Sequence, residues 1–439
     1  MKKIFFFLLI LSAGSSCDVL DVKPQSSILA SEAFKDKKGI EKGILGAYSS
    51  FQNLSYYGRT FVIFPDLAAD NLDHPMDATA LEYRQVDNNT ILPENGSVGS
   101  LWSSLYEGIN VANSVIVKVP GMADMTDAEK NKALGELYFI RALNHFNLLN
   151  LFGDVPLKTT PTVGTGNLDI PRADKETVYE SIIADLTFAA QNLAPSSVKV
   201  RASKYAATAL LARVYLYKGD YALASAAATD VIENGGYSIL DYASVFADGS
   251  AESIFEVDFT DLNRNRIAEY NFPKSLNGRR EVAPSQSILN AYEDDDGRYE
   301  ATVAFAGALP YPVKYNDLSI GADNVIVLRL AEMYLIRAEA EARLEGDIAS
   351  IQQDINVIRA RAGLLDTEAS TYPELLNAIE QERRIEFAFE GHRWFDLVRT
   401  GRAIEVLNNV SSVNQTRFPI PLGEIQTNRS PGMQQNDGY

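Results

Sequence analysis

Along most of this chain apolar side chains recur every three or four residues, the spacing that lines one face of a helix. Residues 32–52 place Phe34, Ile40, Ile44, Leu45 and Tyr48 on such a face, and 102–118 continues a stripe of Leu101, Leu105, Ile109, Ala112 and Ile116. The stretch 127–151 opens at Thr126 with Glu129 three residues on, a capping-box arrangement in which each side chain serves the other's backbone N–H. The same reading predicts helices over 174–193, 203–218, 221–233, 325–345, 348–362 and 372–399. Strict apolar–polar alternation is scarce, and 253–259 is the clearest strand candidate. The expected fold class is mainly α.

The helices come in pairs. Residues 203–218 run into Lys218-Gly219-Asp220 and a second helix follows at once; residues 325–345 run into Glu345-Gly346-Asp347 and do the same. Counted from each glycine, Ala212, Tyr215, Ala224, Ala228 and Val231 correspond to Glu339, Ala342, Ile351, Ile355 and Ile358. Two helices of about fifteen residues around a tight turn, with small residues at the crossing, form a degenerate tetratricopeptide pattern, out of register at Glu339. The stretch 137–151, ending in Phe152-Gly153-Asp154, resembles a further first helix. Such pairs cannot bury their apolar faces alone, so a stacked, tetratricopeptide-like scaffold is expected. Two segments break the period: 53–100, rich in Asn, Asp, Gly and Tyr, and 237–323, with Pro273, Pro284, Pro310 and Pro312. Irregular inserts of this length in a compact protein are usually functional, and they are expected to meet as one loop-rich lobe.

The N-terminus carries an address. Lys2 and Lys3 precede an unbroken apolar run over 4–11, too short to span a bilayer, and Ala13-Gly14-Ser15-Ser16 leads into Cys17, the one cysteine in the sequence. Residues 1–16 therefore read as an export signal of the lipoprotein type, although Gly14 sits where such signals usually carry Leu. Cys17 would become the diacylated N-terminus of a single domain over 17–439, anchored stably by its acyl chains. The formal net charge of −18 repels phosphate backbones and argues against nucleic-acid partners. His74, His145 and His392 lie far apart with no ligand spacing, and with Cys17 lipidated no thiol remains, so neither metal nor cofactor is expected.

Four motifs in order carry a family resemblance. Cys17-Asp18-Val19-Leu20-Asp21 looks like a mature lipoprotein start. Residues 139–156 (FIRALNHFNLLNLFGDVP) look like a first long helix with its exit turn. Residues 382–399 (ERRIEFAFEGHRWFDLVR) are the most specific segment, and the tail combines Phe418-Pro-Ile-Pro-Leu-Gly-Glu-Ile with Gln435-Asn-Asp-Gly-Tyr439. Over essentially its whole length the chain resembles the SusD/RagB-like family of nutrient-binding lipoproteins on Bacteroidetes outer membranes. The resemblance implies a tetratricopeptide-like scaffold with an irregular lobe, and a non-enzymatic role. It implies capture of an oligosaccharide at the cell surface and docking, as a lid, on a TonB-dependent SusC-like outer-membrane transporter. Some relatives serve peptide importers, so an oligopeptide ligand is the alternative.

Chemistry-bearing residues are weighed accordingly. Glu382, Glu386 and Glu390 share a helical face and would suit a glycosidase only if two of them faced a cleft. Each has an Arg (Arg383, Arg384, Arg393 or Arg399) within one turn, which predicts an ion-pair network with low carboxylate pKa values. Tyr292-Glu-Asp-Asp-Asp-Gly297 fails as an EF-hand, since Tyr292 and Val303 fall where carboxylates are required; an irregular calcium site at Asp294, Asp295 or Asp296 is weaker than a solvated acidic turn. Trp102 and Trp394 fall in scaffold helices and read as core. A glycan site needs aromatic faces beside hydroxyl-binding polar groups. The irregular segments offer Tyr56, Tyr57, Tyr83, Tyr270, Phe272, Tyr292, Tyr311 and Tyr315, with Arg59, Asp70, Asn71, Asp73, His74, Arg84, Arg264, Asn265 and Arg266 nearby. By its position, 70–84 is similar to where the family places polar sugar contacts. The candidate ligand contacts are Tyr57, Asp70, Asn71, His74, Tyr83, Arg84, Arg264, Tyr292 and Tyr311.

Overall fold

The structure is a computed structural model that describes residues 34–164 and 168–439; Cys17 and the export signal lie outside the described residues. Its helices are α1 (Lys37–Ser49), α2 (Thr60–Leu67), α3 (Leu81–Asp87), α4 (Gly96–Ile116), α5 (Asp127–Phe152) and α6 (Lys175–Asn192). Next come α7 (Lys204–Lys218), α8 (Tyr221–Asn234), α9 (Ile267–Asn271), α10 (Gln286–Leu289) and α11 (Arg298–Thr302). The chain closes with α12 (Leu330–Arg343), α13 (Ile348–Arg361), α14 (Tyr372–Glu386), α15 (Arg393–Arg399), α16 (Ala403–Val406) and α17 (Leu422–Thr427). The strands form four two-stranded ladders: β1 (Leu72–Asp73) with β5 (Ala283–Pro284), β2 (Val155–Pro156) with β3 (Arg172–Ala173), β4 (Ser253–Val257) with β8 (Val325–Arg329), and β6 (Val303–Ala306) with β7 (Leu309–Pro312). The fold is mainly α, as its sequence period implies.

The scaffold is a chain of neighbours. Helix α4 packs on α5, α5 on α6, α6 on α7, α7 on α8, α8 on α12, and α12 on both α13 and α14. Local chemistry sets the ends. Thr126 accepts from the Glu129 N–H while the Glu129 carboxylate returns the bond, completing the capping box; Asp174 and Ser203 cap α6 and α7 by side-chain acceptance alone, from the Thr177 and Ala206 N–H groups. The α7–α8 turn needs its glycine, since Gly219 has φ +90° and its N–H reaches the carbonyls of Tyr215 and Leu216. The α12–α13 turn is built differently. There Glu345 takes the left-handed conformation (φ +56°) and Gly346 does not.

Several predicted bounds move, for nameable reasons. Residues 325–345 are not one helix: Val325–Arg329 is strand β8, drawn into antiparallel pairing with β4, whose Ser253 lies opposite Arg329. Its Val-Ile-Val run suits a pleated, fully buried strand better than a helix. The stretch 372–399 breaks after Glu386, where Phe389 and Gly391 both have positive φ. Gly391 permits close approach to α2: its N–H donates to Asp66 Oδ2 at 2.8 Å, and a Cβ there would sit 3.1 Å from the Phe61 carbonyl oxygen. Helix α4 starts six residues before position 102, because Asn95 accepts from the Val98 N–H. The irregular segment 53–100 holds α2, which is buried on every side and so shows no amphipathic period.

Beneath the lobe lies a dense buried charge cluster. Arg298 binds Asp296 (2.8 Å) and Glu382 (2.8 Å); Arg329 binds Glu252 (3.0 Å), Glu390 (2.8 Å) and Glu386. Arg361 joins Glu252 (2.6 Å) to Glu386, Arg359 holds Glu382 (2.6 Å), and Lys314 holds Glu390 (2.7 Å). The network expected for Glu382, Glu386 and Glu390 exists, but its cations come from distant elements. The adjacent arginines are engaged elsewhere: Arg383 and Arg399 with Asp396, Arg384 and Arg393 with Asp70. Burial alone would raise the Glu386 pKa, yet Arg361, Arg329 and Arg298 together hold it far below the usual carboxylate range. Desolvation brings Lys314 down to about 8 against the opposing pull of Glu390.

Removing one partner from such a cluster strands the others without water. Arg329→Met is expected to destabilise the fold by about 3–5 kcal/mol, read as a lower midpoint in urea unfolding; an unchanged midpoint would show that the cluster contributes nothing.

Candidate ligand-binding site

The two irregular segments are joined by backbone. Leu72 and Asp73 of β1 pair with Pro284 and Ala283 of β5, the Ser285 hydroxyl donates to the Asp70 carbonyl (2.6 Å), and the Arg266 N–H reaches the Gly58 carbonyl (2.8 Å). Glu281 is the clasp. Its carboxylate accepts from the N–H groups of Thr79 and Ala80 and from the Thr79 hydroxyl, each at 2.9 Å, and from Arg279 at 3.2 Å. Loops with little regular structure need side-chain acceptors of this kind to satisfy their backbone donors.

Three of the expected ligand contacts face inward. Tyr57 and Tyr56 lie with ring centroids 4.4 Å apart, and the Asn147 amide donates to both hydroxyls (3.2 and 2.6 Å); burial pushes the Tyr57 pKa up to about 12. Asn71 is fully buried, donating to Asp66 (2.7 Å) and accepting from Arg384 (3.1 Å). Tyr83 is 2% exposed, wedged between Phe64 and Tyr270. These three offer a ligand no surface, a correction that sequence spacing alone could not supply. Asp70 is half-buried and taken by Arg393 (2.7 Å) and Arg384 (3.0 Å).

The remaining contacts lie nearer the surface. His74 is mostly covered; its Nδ1 bonds the Glu281 carbonyl (2.9 Å), its Nε2 has no partner, and burial lowers its pKa. Arg84 and Arg264 are exposed. Tyr292 is half-buried against Tyr299 (5.0 Å), and Tyr311 half-buried against Phe272 (4.7 Å). The acidic turn beside Tyr292 gives up one of its carboxylates, since Asp296 belongs to Arg298. Trp102 and Trp394 are both buried.

Phe305, Arg279 and Asp87 in the lobe escaped the sequence reading. Phe305, 49% exposed, rides the β6–β7 hairpin. In that hairpin Phe305 opposes Pro310 while Tyr311 opposes Ala304, so the two rings lie on opposite faces and cannot form one platform. Arg279 sits over the Tyr270 ring at 4.7 Å, and Arg59 approaches the same ring at 4.2 Å. The readable signal for Arg279 was the paired cation after Gly278 in a turn-rich stretch. Asp73 and Asp87 both have raised pKa values, Asp87 to about 6; burial is the first cause, and for Asp87 the Asp73 charge adds to it. Carboxylates, guanidinia and aromatic edges together suit hydroxyl-rich ligands. Elsewhere, an open cleft of about 710 Å³ lies between the first turns of α4 and the tail helix α17, lined by Asn53, Glu94, Ser103, Glu107, Glu424 and Gln426 among others.

Comparison with known proteins agrees at several levels. The SusD family model matches residues 310–417, and the model described as "Starch-binding associating with outer membrane" matches residues 18–216. SusD-like protein P2 of Formosa agariphila is 28% identical over 505 residues, spanning 100% of this chain and 99% of the relative. The starch-binding protein SusD of Bacteroides thetaiotaomicron is 36% identical over 128 residues, 26% of this chain and 22% of that protein. Among solved structures, a laminarin-binding SusD-like protein superposes with TM-score 0.83 at 28% identity, covering 92% of this chain and 100% of that one. A SusD-superfamily protein from Bacteroides vulgatus superposes with TM-score 0.85 at 23% identity, over 92% of this chain and 100% of that one, a likeness of fold.

The placements separate packing residues from surface ones. Tyr83→Ala should cost about 3 kcal/mol through the cavity it leaves, whereas Arg84→Ala should stay within about 0.5 kcal/mol of the parent. Chemical denaturation of the two variants checks this, and equal losses would contradict the assigned burial.

Proposed function

Because the chain belongs to the SusD/RagB-like family, we propose that it is a glycan-binding lipoprotein held on the outer membrane by Cys17. In this reading it captures oligosaccharide at the cell surface and delivers it to a TonB-dependent SusC-like transporter. The observation that carries the reading is the likeness, across nearly the whole chain, to a laminarin-binding SusD-like protein. The starch-binding relatives support the same ligand class, and the family-model description supports the location. The site lies in the lobe joined by β1 and β5, with Arg84, Arg279, Tyr311 and Phe272 as the groups best placed to meet a sugar.

A binding role suits the carboxylates. Glycoside hydrolysis needs an acid whose proton is held near neutral pH. Glu382, Glu386 and Glu390 are each held by buried cations. Glu386 in particular stays ionised.

A glycan and peptide array probed with the full chain in detergent should show retention of oligosaccharides, and peptide retention alone would overturn the reading. Incubation with a retained glycan should release no new reducing ends; release abolished by Glu386→Gln would reveal an enzyme. Cys17→Ala should move the protein from the outer-membrane fraction to the soluble one, and persistence after a high-salt wash would refute the anchor.

A further inference from the structure

Arg59, in the lobe, is a partly buried cation without a counterion among the described residues. Arg59 is half-buried, its Nη2 reaches only the Thr60 hydroxyl at 3.3 Å, and its Nε is buried with no hydrogen-bond partner. No carboxylate lies within ion-pair distance of it among the described residues. Burying a guanidinium unpaired is costly, and a fold tolerates it where something else completes the pair. A second cation lies close by: Arg279 approaches the same Tyr270 ring, so the two guanidinia lie within about 9 Å of each other. The ring face offsets part of their repulsion.

Arg279 has little protein acceptor of its own. It shares Glu281 with three other donors, and its side chain is 44% exposed. The chain then continues outward to another exposed guanidinium. The Glu281 N–H bonds the Tyr270 carbonyl, the Glu281 carbonyl bonds His74, and Arg84 is close enough to help lower the His74 pKa. Arg84 and Arg264 are likewise without carboxylate partners among the described residues, whereas the scaffold arginines Arg141, Arg213, Arg337 and Arg399 are all in ion pairs. Residues 262–280 hold five cations, of which Arg266, Lys274, Arg279 and Arg280 have carboxylate partners and Arg264 has none among the described residues. The chain as a whole, irregular segments included, is acidic and repels anions, so an anion is drawn only to the immediate surroundings of these guanidinia.

Building on the glycan-capture reading above, we propose that the ligand is an acidic oligosaccharide whose carboxylate or sulfate groups bind Arg59 and Arg279 at Tyr270, with Arg84 as the outer contact. Guanidinium forks match both groups geometrically and form charge-assisted bonds stronger than those to sugar hydroxyls. Tyr270, 8% exposed and flanked by cations, then serves as the floor that spaces the guanidinia rather than as a stacking platform.

The test is calorimetric titration of the full chain in detergent with four probes: tetragalacturonate, its carboxyl-reduced neutral counterpart, a sulfated galactan tetrasaccharide and tetraglutamate. At low salt one or both acidic sugars should bind at least about ten-fold tighter than the neutral one, and added salt should erode that preference. Which acidic sugar binds more tightly identifies carboxylate or sulfate as the recognised group. Arg279→Met and Arg84→Met should each shrink the preference towards one while leaving the unfolding midpoint near that of the parent. Equal binding of neutral and acidic sugars would overturn the charge proposal and leave glycan capture standing. Tetraglutamate binding more tightly than every sugar would overturn glycan capture itself, and failure of both acidic sugars to bind would overturn the proposal.

Discussion

The ionised carboxylate of Glu386 is the constraint around which the molecule is organised. It is fully buried, so it can exist only where cations surround it, and those cations are delivered by three distant segments. Arg298 comes from α11 in the lobe, Arg329 from the joint between β8 and α12, and Arg361 from the last turn of α13. Neutralising that one charge therefore requires the lobe, the central ladder and the C-terminal helix pair to arrive together. Apolar burial would let these parts slide against one another, whereas the buried charges pair only in one register. Glu252 and Glu390 extend the requirement, because each shares Arg329 with Glu386.

This explains how a lobe with so little regular structure holds a shape. Its ladders are two to five residues long, and such strands carry little stability of their own. What fixes them is attachment at several points: Lys314 beyond β7 holds Glu390, Arg384 and Arg393 hold Asp70 just before β1, and Glu281 clasps the loop leading into α3. The segment 382–399 thus contacts both irregular inserts. Its sequence is dense in charge because it is the mould against which the loops set, and its carboxylates are structural for the same reason.

Where the cause of a feature lies within a few residues of it, the sequence displayed it. The capping box at Thr126 and Glu129 and the turn at Gly219 are of this kind. Where the cause lies far along the chain, it was invisible. Val325–Arg329 became a strand because Ser253–Val257 lies beside it, and the helix over 372–399 broke because Gly391 must approach α2. The charge network was legible as a composition of Glu and Arg, but its pairing was assigned to helical neighbours when three-dimensional proximity decides it. The candidate site suffered most. Tyr57 and Tyr83 carry the same residue type as Tyr311 and sit in equally irregular sequence, and nothing local tells a buried tyrosine from a half-exposed one. Arg279 was missed because its significance depends on Tyr270 and Arg59 being beneath it.

The consumption of aromatic rings by packing shapes the chemistry left for a ligand. Tyr56, Tyr57, Tyr83, Tyr270 and Tyr315 are buried, and Phe305 and Tyr311 face opposite ways, so these rings form no broad aromatic platform in the lobe. In the proposed role, recognition in the lobe would rest on polar groups, and a hydrogen bond exchanged with water yields only about 0.5–1.5 kcal/mol net. A handful of such contacts gives an affinity on the order of micromolar to millimolar. In the proposed capture-and-delivery role that weakness is useful, because the cargo would have to leave again. A capture surface that stacked sugars on several tryptophans would hold them through a low off-rate and oppose transfer to a partner. Charged contacts resolve the conflict between finding a ligand and releasing it, because they raise the rate of encounter more than the lifetime of the complex and are readily displaced by competing ions. The unpaired guanidinia of the lobe are placed to supply that kind of attraction on a surface otherwise built to repel it.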